Sequence, residues 1–415
     1  MVRLFFQQGF SRALAGLIVY IYPILFGESG LGEYSVYSSY VMVAVIMGFG
    51  PMEALAGRAS SNNISERDCL LFYALLIVLL LLFLALVLLG GLNLTANYPA
   101  VSAHLGAIIL AGAAVTGVSK IFYRVLRFQD TELAASYTKL KTITVLGLFW
   151  LMWMIRNEFA LIVCAIIPQA VATLWYWSSL SFNWSTVRRV DLGTHKRLIK
   201  ELALLYPNRF FGLTVVPLVN IFVAEKYGLQ SSGRFFLAMT AVGSISVVLG
   251  VFMEAIQKKI YQNIPVRKIS EYFNLEWSVV HALLVLFLCV ELANASAYLP
   301  LLKLEDLWAD VVLIGLAASP LILANYLKGI HLAEYFSDST TSKYFIISTI
   351  LYFSLVAIGV GLASDIYDIA ATFVIARFIA NIFAIFLIKK IRAVTNYTHF
   401  ALILNAIGLL LFGAT

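Results

Sequence analysis

Three arginines stand inside stretches that are otherwise apolar enough to cross a membrane. Arg12 occurs in Phe10-Ser11-Arg12-Ala13-Leu14, Arg209 in Pro207-Asn208-Arg209-Phe210-Phe211, and Arg377 in Ile375-Ala376-Arg377-Phe378. An ionisable group in hydrocarbon is costly, so it faces protein or water and marks a functional position by default. A guanidinium offers a planar fork of donors and is weakly hydrated, which suits an oxyanion held through two oxygens. Arg12, early in its stretch, is equally placed to snorkel to cytoplasmic headgroups, and Arg377 to partner a buried acid or helix carbonyls. Asn208, Tyr206, Asn220, His281 and Asn325 offer hydrogen bonds to a polar ligand, although most intramembrane Asn and Tyr bridge helices. Two equivalent acids, Glu53 and Glu254, end their stretches near the cytoplasm. Pairing with Arg58, Lys258 or a neighbouring helix is their first expected use, with gating or proton coupling the alternative. Glu291 and Asp310, nearer the outer face, are further candidates for coupling a proton or another ion. No Walker sequence is present, and Cys69, Cys164 and Cys289 have no metal-like spacing. The expectation is therefore a non-enzyme without catalytic residues, metal or cofactor.

These groups need apolar elements to hold them. Hydrophobic residues make up 61% of 415 positions and charged residues 12%, with a mean hydropathy of +0.91. A soluble core cannot absorb so much, so the chain reads as an all-α polytopic membrane protein. A spanning helix needs about 20 apolar residues, because lipid leaves unpaired backbone groups without partners. That criterion places twelve spans, at 9–26, 34–56, 69–96, 101–122, 137–155, 158–180, 203–224, 233–256, 277–300, 307–327, 343–363 and 367–388. A shorter apolar segment, 398–413, either lies in the interface or forms a thirteenth. No small-residue cleavage site follows Ala13 to Phe26, so the first span is expected to stay.

An ungapped repeat organises the spans. Gly27-x4-Gly32 recurs as Gly228-x4-Gly233, and in the same register Tyr34 meets Phe235 and Met52-Glu53-Ala54-Leu55 meets Met253-Glu254-Ala255-Ile256. Arg12 and Arg209 fall in matching places to within about one helical turn. With six spans per copy the repeats point the same way, giving two parallel pseudo-symmetric six-helix lobes, an arrangement found in secondary transporters. The lobes are expected at 1–182 and 203–392, joined by a linker at 183–202 and followed by a short hydrophobic segment at 393–415. Bases gather on one side, among them Arg58, Arg67, Lys120, Arg124, Arg127, Lys258 and Lys259, while Arg156, Lys226, Arg234 and Lys303 fall on the other. The basic side is the cytoplasm by the positive-inside rule, so the amino terminus lies inside and the glycine loops outside. The net charge of +7 is thereby explained by topology, and no nucleic-acid partner is expected. The turn Ser60 to Asp68 reads as solvated, opened by Ser65-x-x-Asp68. The basic, amphipathic linker is expected to lie on the anionic inner leaflet.

The Gly-x4-Gly with its following aromatic, Gly48-Phe49-Gly50, and the Phe122-Tyr123-Arg124-x-x-Arg127 exit of span four resemble the Wzx-type polysaccharide flippases of the MATE-like superfamily. The resemblance covers spans one to twelve in architecture; the segment 398–413 departs from it. It implies a V-shaped pair of bundles in a bacterial cytoplasmic membrane, moving an undecaprenyl-diphosphate-linked oligosaccharide, an O-antigen or other polysaccharide repeat unit, to the outer face by alternating access. Arg12, Arg209 and Arg377 would then face the diphosphate and Asn208 the sugar. Membrane lipids, a coupling proton or sodium ion, and polysaccharide assembly proteins are the implied partners. A multidrug or other MATE-like exporter is the alternative. A membrane polysaccharide polymerase is disfavoured, because no outward connection is long enough for its catalytic loop.

The topology is directly testable. Single cysteines at Ser61 and Thr194, in a cysteine-free chain, should be labelled only from the cytoplasm, and one at Ser29 only from outside. Labelling of Ser61 and Thr194 from opposite sides would dismantle the parallel repeat.

Overall fold

Helix α1, Val2–Asn62, is broken at Gly27, whose φ of 74° and ψ of 173° leave the helical region. That combination is essentially closed to residues with a Cβ. The second copy behaves alike: α8, Val215–Tyr227, ends at Gly228, with φ of 87°, and the chain turns helical again at 229–237. The second elbow keeps its backbone paired, since Gly228 N–H donates to Ala224 O at 3.1 Å and Ser232 N–H to Gly228 O at 3.2 Å. The two copies also meet. A Cβ at Gly32 would run into the backbone carbonyl of Leu229, so only glycine lets the two helical segments of the motif approach this closely.

The computed structural model describes residues 2–89, 103–155, 158–180, 182–237, 239–240, 338–364 and 366–389, with the backbone alone for 2–26. Its remaining helices are α2, Ile64–Leu89; α3, Ala103–Gln129; α4, Thr131–Ile155; α5, Glu158–Trp175; α6, Trp184–Arg189; α7, Leu192–Leu213; α9, Asp338–Leu362; and α10, Ile366–Lys389. Among the described residues there is no strand. Ser29–Gly57, Ile64–Leu88, Leu105–Gln129 and Phe345–Leu362 are long and apolar enough to cross a membrane, and α7 with α8 makes a fifth candidate bent by 43°. The expected spans 277–300 and 307–327, most of 233–256, and the segment 398–413 lie outside the described residues. Helices group into two compact units, one of Met1–Ser11 with Glu33–Ile221, the other of Arg12–Gly32 with Phe222–Thr415.

In the first unit α1, α2, α3, α4 and α5 pack around Phe49, Leu55, Leu70, Leu71, Ile121, Phe122 and Leu126. Lipid gives helices no hydrophobic reason to associate, so close van der Waals fit must do it, and small residues at the seams permit that fit. Ala56, Ala74, Ala113, Ala114, Ala134 and Ala172 are all buried there. A Cβ at Gly117 would overlap the Phe49 ring, which locks α1 against α3. On the other side of α2, Leu79, Leu80, Phe83 and Leu86 are exposed, as lipid-facing side chains should be. A buried chain of hydroxyls ties three helices, Ser119 on α3 to Tyr137 on α4 at 2.5 Å and Tyr137 to Thr173 on α5 at 3.1 Å.

The turn Ser60 to Asp68 departs from its reading. Asn63, rather than Ser65, caps α2, accepting from Ser65 N–H at 3.1 Å and Glu66 N–H at 3.4 Å. Nor is the turn solvated throughout: Arg67 and Asp68 are buried and paired at 2.6 Å, and Arg197 from α7 bonds Glu66. The linker supplies the cover. Val187 of α6 and Leu198 of α7 pack on Cys69, the Trp184 ring meets Phe72 edge-on, and Tyr73 Oη lies 2.5 Å from His195 Nδ1. Asp191 caps α7; the Thr194 hydroxyl and backbone N–H donate to it and hold its carboxyl below the usual range. Trp184, Leu192 and Ile199 remain exposed beside Arg188, Arg189, Lys196 and Lys200.

In the second unit α9 and α10 form a hairpin. Lys226 Nζ and Tyr227 Oη both donate to Ala363 O at 2.7 Å, and Phe235 packs on Phe373. Lys226, counted above among the outward-side bases, thus caps the end of α9.

Gly27→Ala should cost about 1–2 kcal/mol through backbone strain alone, since space there is open. Gly32→Leu should cost about 3 kcal/mol, because its collision is with backbone and no rotamer relieves it. Thermal unfolding of the detergent-purified chain measures both; a Gly32→Leu protein as stable as the parent would show that the elbows do not touch.

Candidate functional site

Reading Lys120 with the cytoplasmic bases puts it at the inner end of span four, drawn at 101–122. Instead α3 continues to Gln129, so Lys120 lies about 13 Å inside that end at 1.5 Å per residue. The half-buried side chain reaches toward α1, where Nζ donates to Met42 Sδ at 3.5 Å. Met42 stands midway along the span Ser29–Gly57. The ammonium is therefore near the middle of the crossing length, and its neighbour is a thioether, a weak acceptor. No carboxylate of a described residue comes within ion-pair distance of it; Glu53 on α1 attracts it over a longer range. The signal that could have revealed Lys120 is its place one turn inside Arg124, with Phe122 and Tyr123 between.

The same turn of α1 touches α7. A Cβ on Gly50 would sit 3.7 Å from Arg209 Cβ, so half-buried Arg209 borders the α1 stretch that carries Glu53, while Phe49 faces Gly117 one turn from Lys120. Beyond Arg209 the helix breaks. Pro217 has no N–H for Leu213 O, and Thr214 caps α7 through its N–H and Oγ1, which donate to Phe210 O at 3.0 and 2.6 Å. A proline three residues into α8 accounts for the bend.

Other expected residues take structural roles or lie elsewhere. Asn220 bridges α8 to α1, donating to Ser39 Oγ at 2.9 Å, and Tyr206 stacks on Phe210. Asn208 is half-buried on α7 beside Arg209. Arg377, midway along α10, lies with Cζ 3.8 Å from the centre of the Tyr352 ring on α9. Among the described residues its partner is thus an aromatic face, worth about 2 kcal/mol when desolvated, rather than an acid. The Arg12 and Arg58 side chains, and Lys258, Glu254, His281, Glu291, Asp310 and Asn325, lie outside the described residues. Glu53 is half-buried with no ion pair to a described residue.

No protein-family model matches the chain, and no curated protein does. Solved structures do, and they define the class: the chain has the fold of the MATE transporters of the MOP superfamily. A MATE protein in its straight conformation is 14% identical with a TM-score of 0.65, over 94% of this chain and 95% of that one. An outward-facing multidrug resistance MATE transporter is 14% identical at 0.63, over 94% of each chain. A MOP superfamily transporter from Pyrococcus furiosus, described as having a binding pocket of reversed polarity that suggests a different function, is 13% identical at 0.61, over 94% of each.

If Tyr352 holds Arg377, Tyr352→Leu should lower stability by about 1–2 kcal/mol while Tyr352→Phe, which keeps the ring face, loses less than half of that. Melting curves of both variants decide it; equal losses would move the anchoring role from the ring to the hydroxyl.

Proposed function

We propose that this chain is a MATE-fold transporter that carries an undecaprenyl-diphosphate-linked oligosaccharide from the cytoplasmic to the outer leaflet by alternating access. The observation that carries the reading is the sign of the charge set into the described helices. Arg209 and Arg377 stand in helical stretches of apolar sequence, and among the described residues neither is paired with a carboxylate. A dianionic diphosphate gains from such groups, whereas a cationic drug is repelled by them. Arg12, outside the described side chains, and Asn208 belong to the same proposed path, with Glu53, Glu254, Glu291 and Asp310 as coupling candidates for a proton or sodium ion. The Pyrococcus furiosus structure supports using pocket polarity, rather than fold, to separate functions.

A multidrug exporter is the second reading, favoured by the fold of the multidrug transporter to which the chain is similar. Deletion of the gene separates the two. On the flippase reading a surface polysaccharide disappears, lipid-linked units accumulate on the cytoplasmic leaflet, and susceptibility to cationic drugs is unchanged. Intact polysaccharide with raised drug susceptibility would establish the exporter instead, and units found outside but unpolymerised would point to a polymerase.

A further inference from the structure

We propose that Lys120 is an oxyanion-binding residue of the first compact unit, taking a phosphate or diphosphate oxygen of its ligand at mid-depth in the membrane. The inference deepens the anionic-cargo reading and rests on it for the identity of the ligand. Its grounds are local to α1 and α3. The ammonium carries three donors, and the contact given to them is Met42 Sδ at 3.5 Å. A charged lysine at this depth is costly unless something solvates it. A structural lysine would be expected to sit on a carboxylate or on carbonyls, as Lys226 does on Ala363 O at 2.7 Å in the other unit. Among the described residues Lys120 has neither partner, although Glu53 is on the facing helix and the α1 turn beside it is fixed by Phe49 packed on Gly117, where no side chain would fit. Donors preorganised in this way, with a distant acid rather than a bound one, are left for an incoming acceptor. An oxyanion fits them, since a charge-assisted bond to an ammonium is roughly twice as strong as a neutral one. The long-range attraction of Glu53 then competes weakly with the ligand and aids its release.

The test uses the full purified chain in a neutral maltoside detergent, with undecaprenyl diphosphate, uncharged undecaprenol and inorganic diphosphate as probes. The wild type should bind the lipid diphosphate more tightly than undecaprenol. Lys120→Met should weaken diphosphate binding on the order of 10- to 100-fold, Lys120→Arg only a few-fold, and undecaprenol binding should not change. Glu53→Gln should tighten the diphosphate. Because Lys120→Met could also fold poorly, Lys120→Cys is measured before and after reaction with an ethylammonium thiosulfonate, in a chain with Cys69, Cys164 and Cys289 replaced. Restored binding in one and the same folded sample isolates the charge. If Lys120→Met, or unmodified Lys120→Cys, binds lipid diphosphate as the wild type does, the lysine assignment falls while the flippase reading stands. If inorganic diphosphate binds through Lys120 but the polyprenyl chain adds nothing, the site stands and the lipid cargo falls. A wild type that binds no diphosphate overturns both.

Discussion

The carbonyl of Leu229 lies where any side chain at position 32 would have to be, and much of the architecture follows from that contact. In lipid a helix cannot be interrupted freely, because each unpaired N–H or C=O costs several kcal/mol. A single glycine at positive φ is an economical interruption: it turns the chain at Gly27 and Gly228 while the flanking turns keep their bonds. Placing two such elbows against each other then requires backbone-to-backbone approach. Gly32 supplies it, and the second unit accordingly takes Arg12–Gly32 together with Phe222 onward.

Charge is the second constraint, and three basic groups meet it differently. Lys226 is satisfied by the carbonyl at the end of α9. Arg377 lies over the face of Tyr352, where a weakly hydrated guanidinium gains from the ring quadrupole without a counter-charge. Lys120, among the described residues, reaches the Met42 sulfur. The ordering matters for function, since a cation with good partners has little to offer a ligand, while one with a poor partner has most of its interaction energy still to give.

What the sequence made legible was what depends on local chemistry. The Gly-x4-Gly repeat pointed to both elbows, because positive φ is a property of glycine itself, and the apolar runs located the helices. Helix ends were less legible. Asp130 caps α4 directly after α3, accepting from Glu132 and Leu133 N–H at 2.8 and 3.2 Å, so the apolar helix α3 continues to Gln129 and Lys120 lies well inside it. The turn at Glu66–Asp68 read as solvated because its cover, Val187, Leu198 and Arg197, comes from more than a hundred residues away. Tertiary burial of a polar turn leaves no local trace. The pairing of Arg377 with Tyr352 is equally non-local, although both were visible as residues inside apolar stretches.

The linker shows how these constraints combine. Its amphipathic pattern reads as a face for the anionic inner leaflet, and one face is in fact spent on α2. Trp184, His195, Leu198 and Arg197 engage Phe72, Tyr73, Cys69 and Glu66, so the start of α7 belongs firmly to the first unit. The continuing chain passes to the second unit after Ile221. Between those two attachments stands the 43° bend at Thr214, where Pro217 has removed a helical hydrogen bond. With that bond absent, the angle is set by what packs on either side rather than by the backbone itself. Arg209 lies just before the bend and Asn220 just after it, so a polar pair flanks a break in the backbone ladder.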